Sequence, residues 1–277
     1  MSPGTLHVVA TPLGNLGDLS PRAASVLNAA DLVAAEDTRR TRTLLAHVAA
    51  RPRLVSLHAH SSPARVESVL AVLRRGDTVA LLTDAGTPGI SDPGAALVAR
   101  ARAEDIPVMV VPGPSAVTAA LSISGLPADR YTFMGFLPRK GPERRTLLAQ
   151  VARAEWTAVL FEAANRLGDT LADLAHACGD GRRALVAREL TKMHEESRAG
   201  TLRELAGYYG AHVARGEVTI VIAAGPGVEA SAADAGAARQ RAQGLLEGGL
   251  TRRDAAERLA GEFGLSRNQA YALVAKL

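Results

Sequence analysis

The sequence predicts an α/β protein with a mostly parallel sheet, a second α/β region and a small C-terminal helical domain. Three observations lead there. Short apolar runs suited to buried strands alternate with helical segments through the first 124 residues, the rhythm of a parallel sheet with crossover helices. Glycine-bearing loops follow three of those runs and open onto helices. Past residue 225 a Gly-, Ala- and Ser-rich stretch without apolar period gives way to two amphipathic segments.

In the first domain, 1–124, the expected strands are 6–10, 32–35, 54–57, 79–82 and 108–111. Ser20-Pro21, Ser62-Pro63 and Asp92-Pro93 each place a capping side chain before a proline at the first helical position, and 115–124 reads as the last helix. Gly125 to Asp129 breaks the rhythm. A second domain, 125–225, follows with strands at 131–136, 157–161, 184–187 and 218–223 and helices near 143–152, 166–177 and 202–212. Its polar stretch over 188–198 and its longer connections predict a mixed sheet. Residues 226–238 read as a linker. The tail, 239–277, holds helical stretches 251–263 and 266–276 joined by Gly264 and Leu265, a pattern resembling a helix-turn-helix. Two readings of it stay open. It is a packing module or dimer contact, or its Arg252, Arg253, Arg258, Arg267 and Lys276 reach phosphate among the interspersed Asp254, Glu257 and Glu262.

Composition excludes several classes. With 277 residues, 47% hydrophobic and 22% charged, the chain is an ordinary globular one. A net charge of +4, with Arg far exceeding Lys, suits a phosphate-bearing partner without requiring one. Aromatics at 3% speak against a broad base-stacking platform. The single cysteine, Cys178, excludes an internal disulfide framework and a thiolate-rich zinc site, and no metal is expected. The start of the chain lacks the basic and apolar regions of a signal peptide, and no apolar run reaches bilayer length. A soluble cytoplasmic protein is expected.

The densest motif is Thr83-Asp84-Ala85-Gly86-Thr87-Pro88-Gly89, which leaves a buried strand and lets backbone amides approach a ligand that side chains would block. The loops Thr11 to Asp18 and Pro112 to Ala116 also follow strands. In an open α/β sheet such loops border the crevice beyond the carboxyl strand ends. Helix N-termini there favour an anion, but Asp84 and Asp92 argue against a polyphosphate, leaving a nucleoside-like, zwitterionic or cationic ligand. No phosphate-binding G-x-x-x-x-G-K-[ST] loop is present. Residues 225–230 match a dinucleotide fingerprint only formally, because no periodic helix follows. Gly113 to Val117 lacks the closing glycine of a nucleophile elbow. His58 and His60 have no companion metal ligands. Glu36-Asp37-Thr38-Arg39-Arg40 is either a capped helix with solvated arginines or a pair of carboxylates at the crevice with arginines toward phosphate. Arg188-Glu189-Leu190-Thr191-Lys192 mixes acid, hydroxyl and base at a strand end in the same way.

Taken in order, Thr11 to Asp18, Ala35 to Arg39, Leu57 to His60, Thr83 to Pro88 with Ser91 to Gly94, Pro112 to Ser115, Ser124 to Pro127, Gly135 to Pro138, Ala187 to Lys192 and Gly216 to Val218 resemble the bacterial 16S ribosomal RNA cytidine 2′-O-methyltransferase family. That family sits within the tetrapyrrole methylase superfamily, and the resemblance spans essentially the whole chain. It implies a two-domain class III methyltransferase, usually a homodimer, that binds S-adenosyl-L-methionine between its domains. On this resemblance Leu13, Asp84, Ala85, Gly86, Ile90, Ser115, Ala116, Phe161 and Leu190 line the cofactor site. The implied reaction is 2′-O-methylation of a cytidine ribose in 16S ribosomal RNA, within the assembled small ribosomal subunit. Glu36, Asp37, Glu189 and Lys192 are the candidate catalytic bases. Arg39, Arg40, Arg139, Lys140, Arg144 and Arg145 are the candidate RNA phosphate contacts. Two departures stand out. Phe161 to Arg166 reads Phe-Glu-Ala-Ala-Asn-Arg where the family has Tyr-Glu-Ser and a His-Arg pair, and Ala59 and Ser61 replace an acidic residue and an asparagine. The alternatives are C-methylation of a small tetrapyrrole precursor, disfavoured by the tail and by the basic cluster over 139–145, and a noncatalytic nucleic-acid-binding protein.

Overall fold

A computed structural model describes residues 3–58, 61–91, 94–225, 232–263 and 267–277. The chain divides into two compact units, Met1–Ala152 with Trp156–Ala223, and Arg153–Glu155 with Ala224–Leu277.

The larger unit contains two sheets. The first is built from β1 (Leu6–Val9), α1 (Pro21–Ala29), β2 (Leu32–Ala35), α2 (Thr38–His47), β3 (Arg53–Ser56), α3 (Pro63–Arg74), β4 (Val79–Leu82), α4 (Ala95–Ala103), β5 (Val108–Val111) and α5 (Ala116–Ser124). Its strands run in the order β3-β2-β4-β1-β5, and every pairing is parallel. β2 and β4 are buried at all four positions, as continuous apolar runs in a doubly covered parallel sheet must be. Alternate residues face opposite layers. Leu32, Ala34 and Leu81 pack with Leu70, Leu73 and Leu97 of α3 and α4, whereas Val33, Ala35 and Leu82 pack with Leu27, Leu44 and Leu45 of α1 and α2.

Helix starts follow their caps. Ser20 Oγ accepts from the Ala23 amide ahead of Pro21, and Asp37 caps α2 by accepting from the Arg39 amide. The start expected at Asp92-Pro93 is corrected: α4 begins at Ala95 behind Gly94, whose φ of 122° suits glycine alone, and residues 92–93 lie outside the described residues.

The second sheet uses β6 (Tyr131–Phe136), α6 (Pro142–Ala152), β7 (Thr157–Ala163), α7 (Leu167–Cys178), β8 (Arg183–Arg188), β9 (Glu196–Thr201), α8 (Leu202–Ala211) and β10 (Glu217–Ile222). The order is β6-β7-β10-β8-β9, with β6 and β7 parallel and the other pairings antiparallel. β9 falls where the sequence reads as a polar connection. As an edge strand with Ser197, Arg198 and Ala199 exposed, it has no apolar face to betray it. α5 leaves the first sheet but buries Val117, Ala120 and Leu121 against Val159, Leu185 and Val221 of the second, which joins the two sheets into one body.

The smaller unit holds α9 (Ala232–Glu247), α10 (Arg252–Phe263) and α11 (Arg267–Val274) around Ala238, Ala242, Leu245, Ala255, Leu259, Ala270 and Val274. α9 begins inside the expected linker, so the tail has three helices and not two. Its inward stripe consists largely of alanines at helical spacing, which in composition resemble a linker. The expected joint at 264–266 lies outside the described residues. Among the described residues no helix is long and apolar enough to cross a membrane.

Candidate active site

The three glycine-bearing loops are hydrogen-bonded to one another. Thr11 and Gly86 exchange backbone bonds of 2.8 and 3.0 Å, Thr11 Oγ1 donates to the Thr83 carbonyl at 3.1 Å, and Thr87 Oγ1 donates to the Pro114 carbonyl at 3.2 Å. Beyond them opens a cavity of about 730 Å³. That lies within the usual range for a small-molecule site, roughly 300–1,000 Å³. One wall comes from the first sheet, through Leu13, Glu36, Asp84 to Thr87, Ile90, Ser115 and Ala116. The facing wall comes from the second sheet, through Phe136, Phe161 to Asn165, Ala187, Leu190 and the stretch Ala214 to Thr219. Phe161 meets Phe133 and Phe136 with ring centroids 4.8 and 5.5 Å away, giving that wall an aromatic floor.

The carboxylates around the cavity differ in what holds them. Asp84 Oδ1 accepts from the Asp37 amide at 2.9 Å, and its Oδ2 lies 3.4 Å from Arg40. Glu162 is buried and saturated, accepting from the Ala163 amide, Arg166 and Thr170. Glu36 Oε2 accepts from Thr83 Oγ1 at 2.9 Å, and its Oε1 has no hydrogen-bond partner among the described residues. Glu36 thus keeps an oxygen for a bound molecule.

Glu189, Lys192 and Glu217 form a clasp at the rim. Lys192 Nζ donates to Glu189 at 2.9 Å and to Glu217 at 3.0 Å, and Glu189 also accepts from the Glu217 amide at 3.0 Å. Burial alone pushes the Glu189 carboxyl up, but the bonds from Lys192 and the Glu217 amide outweigh it and hold the group below its ordinary range. Burial likewise pushes the Lys192 ammonium down, and the two glutamates reverse this and raise it. The Lys192 side chain crosses Gly14 so closely that a Cβ at 14 would lie 2.2 Å from its Cγ. A Cβ at Gly216, where φ is 82°, would lie 2.0 Å from Glu189 Oε1. Glu189 and Thr191 themselves take φ of 52° and 66°, a left-handed backbone that needs outside support. The clasp supplies it, and Leu190 between them is delivered to the cavity.

A family model of the tetrapyrrole (corrin/porphyrin) methylases matches residues 5–206. A protein of Synechocystis sp. named ribosomal RNA small subunit methyltransferase I is 44% identical over 99% of this chain and 98% of its own. One of the same name from Xylella fastidiosa is 52% identical over 74% of this chain and 75% of its own. This chain belongs to the ribosomal RNA small subunit methyltransferase I family, within the tetrapyrrole methylases. The crystal structure of uroporphyrin-III C-methyl transferase from Thermus thermophilus complexed with S-adenyl homocysteine shares the fold, with a TM-score of 0.56 and 21% identity over 79% of this chain and 96% of that one.

In this tetrapyrrole methylase all nine residues expected at the cofactor site line the cavity. The expected bases separate. Glu36 lines it, whereas Asp37, Glu189 and Lys192 do not. Asp37 is bound by the Arg39 side chain and amide, which hold its carboxyl down at about 2, too weak a base for a neutral hydroxyl. Glu189 and Lys192 are spent on the clasp. Of the expected phosphate contacts, Arg40 lines the cavity and is paired with Asp84, Arg39 is exposed and paired with Asp37, and Arg139, Lys140 and Arg145 are exposed without an ion-pair partner among the described residues. Arg144 is corrected: it is buried, bound to Asp173 at 2.7 Å, to Thr170 at 3.1 Å and to the Pro138 carbonyl at 2.9 Å. Sequence reasoning assigned no role to Phe136, Glu162 to Asn165 or Ala214 to Thr219. Phe136 and Gly216 to Val218 fall inside two motifs of the resemblance, Gly135 to Pro138 and Gly216 to Val218, and that was the available sign. His60 and Ala59 lie outside the described residues.

Proposed function

We propose that this protein transfers a methyl group from S-adenosyl-L-methionine to the 2′-hydroxyl of a cytidine in 16S ribosomal RNA. The observation that carries the reading is the 44% identity with the Synechocystis protein over 99% of this chain, because the fold alone is shared with a uroporphyrin-III C-methyl transferase.

The cavity residues suit the cofactor. Glu36 and Asp84 supply negative charge for a cationic sulfur. Leu13, Ile90, Phe136, Phe161 and Leu190 supply an apolar enclosure for an adenine ring. α5 opens at Ala116, and Ser115 makes no side-chain cap bond, so first-turn amides are free to meet the methionine carboxylate. When bound, the cofactor supplies a methyl group already activated by the positive sulfur. The remaining work is alignment of the hydroxyl and removal of its proton. Glu36 is the base we assign, since its Oε1 alone among the cavity carboxylate groups considered is neither ion-paired nor saturated. Arg40, Arg139, Lys140 and Arg145 would hold RNA phosphates, which position the substrate without reading its sequence.

The reading extends to the assembled small subunit as the substrate form and to a homodimer. β5 supports the latter, being an edge strand with Met109 and Val110 exposed. The test is to incubate the protein with methyl-labelled S-adenosylmethionine and, separately, small ribosomal subunits, deproteinised 16S RNA or a tetrapyrrole precursor. Label in a 2′-O-methylcytidine after nuclease digestion is the expected result. Label on a tetrapyrrole carbon, or none in RNA, overturns the reading.

A further inference from the structure

Two residues before Ala214, which lines the cavity on its second-sheet side, α8 ends in a preassembled stack that the proposed chemistry leaves unused. Arg198 lies over the Tyr208 ring, its Cζ 3.6 Å from the centroid. His212 also stacks on that ring, at 4.4 Å with an interplanar angle of 16°. His212 Nδ1 bonds the Tyr208 carbonyl at 2.9 Å, which fixes the imidazole plane, and the residue is exposed. Tyr208 is braced from the side by Tyr209, edge-on at 5.0 Å.

A chain of contacts leads from this stack to the cavity. Tyr209 donates to Glu196 Oε1 at 3.2 Å, Arg188 grips Glu196 Oε2 at 2.7 and 3.1 Å, and Arg188 also donates to the Arg215 carbonyl at 3.3 Å. Arg215 lines the cavity mouth, and its guanidinium has no ion-pair partner among the described residues. Between His212 and Arg215 the chain exposes Val213, 84% accessible. Glu196 is neutralised by Arg188, and Glu217, two residues beyond Arg215, by Lys192.

We propose that this rim seats the single-stranded RNA flanking the methylated ribose, a neighbouring base stacking on His212 and a phosphate meeting Arg215. This rests on the reading of ribosomal RNA as substrate and adds where and how it is held. A flat ring already stacked on a tyrosine and locked by a backbone bond loses little freedom when a base covers it, and stacking tolerates any base. A nucleotide that enters the cavity leaves its own stack, and the rim offers an adjacent unstacked base a replacement surface.

The test compares wild type, His212→Ala, His212→Phe and Arg215→Gln. Direct binding of a fluorescent single-stranded oligoribonucleotide is measured by anisotropy, methyl transfer to small subunits by steady-state kinetics, and S-adenosylmethionine affinity by calorimetry. His212→Ala is expected to weaken RNA binding and raise the RNA KM roughly tenfold, the size typical of one lost base stack. kcat and cofactor affinity stay within about twofold, and His212→Phe restores binding, since it keeps the ring. Arg215→Gln lowers RNA affinity and flattens its salt dependence. Unchanged RNA binding in His212→Ala, no rescue by phenylalanine, or an equal loss of cofactor binding would overturn the seat. Binding that depends on His212 without any methyl transfer to RNA would leave the seat standing and remove the proposed reaction instead.

Discussion

Replacing Gly14 by alanine isolates what the Lys192 clasp does. Gly14 has no positive φ, so alanine meets no backbone penalty, and its Cβ conflicts chiefly with the Lys192 side chain, 2.2 Å from Cγ and 2.9 Å from Cε. To make room the lysine must lift from Glu189 and Glu217. The pair with Glu189, whose side chains are 20% and 27% exposed, is worth about 1–2 kcal/mol. The pair with Glu217, 62% exposed, adds below about 1 kcal/mol. The clasp holds Leu13, Leu190 and Glu217 at their places around the cavity, so part of this energy is felt by the ligand. At about 1.4 kcal/mol per factor of ten, the expected loss in S-adenosylmethionine affinity is roughly tenfold. Calorimetric titration of wild type, Gly14→Ala, Lys192→Ala and the double variant reads it, with thermal unfolding in parallel. Each single variant should show the loss, and the double variant no more than Lys192→Ala alone, because without the lysine the new methyl group meets nothing from it. If Gly14→Ala costs as much on the Lys192→Ala background as in wild type, the glycine acts through something else and the clasp argument fails.

Glu36→Gln should lower kcat for methyl transfer by about 100-fold or more, the usual contribution of a positioned base, and initial rates at saturating RNA check it; an unchanged kcat would assign the proton to water. Arg144→Met should leave RNA affinity unaltered but reduce stability in urea by roughly 1–2 kcal/mol, since it strips partners from buried Thr170, the Pro138 carbonyl and half-exposed Asp173. Arg139→Gln and Arg145→Gln should do the reverse, each reducing the slope of log affinity against log salt by about one while stability holds. The clasp also sets a pH window. Glu189 is held below its ordinary 4.5, so its contribution is present above that value and disappears as pH falls through the lowered one. Lys192 is held above 10.5, so its contribution is complete below that value and disappears as pH rises through the raised one. Cofactor affinity followed against pH should therefore lose this component only at the acidic and alkaline extremes, and Lys192→Ala should remove it throughout.

What could be read in advance was whatever depends on neighbours in the chain. β2 and β4 were legible as unbroken apolar runs because both faces of a central parallel strand are buried; the helix start at Pro21 followed from its Ser20 cap, and that at Pro63 from the proline at the first helical position, since Ser62 makes no side-chain cap bond. β9 and α9 were not, for opposite reasons: an edge strand has no need of apolar alternation, and a helix packed through alanines has no need of large side chains. Arg144 is the instructive case. It sits in a basic run that invites a phosphate, yet 144, 148 and 151 have the spacing of one helical face, and Leu148 and Val151 on that face are buried. Periodicity therefore outranked local charge in telling which arginine of the run points inward.

The same reasoning separates the bases. Residue type proposes Glu36, Asp37, Glu189 and Lys192 equally, since each is a titratable group at a strand end. Their partners in the fold distinguish them. Asp37 is answered two residues on, by Arg39, and the Glu189–Lys192 pair lies three residues apart in sequence, so both engagements had local traces. The third member, Glu217, is 25 residues beyond Lys192 and joins them only because β10 pairs beside β8. A carboxylate without an ion pair cannot be recognised by what surrounds it in the chain, and Glu36, bonded through Oε2 to Thr83, stands out only when the other three are seen to be charge-paired. If Glu36→Gln were fully active, the inference from unspent hydrogen-bonding capacity to chemical role would be the step at fault, while the cavity itself would still stand.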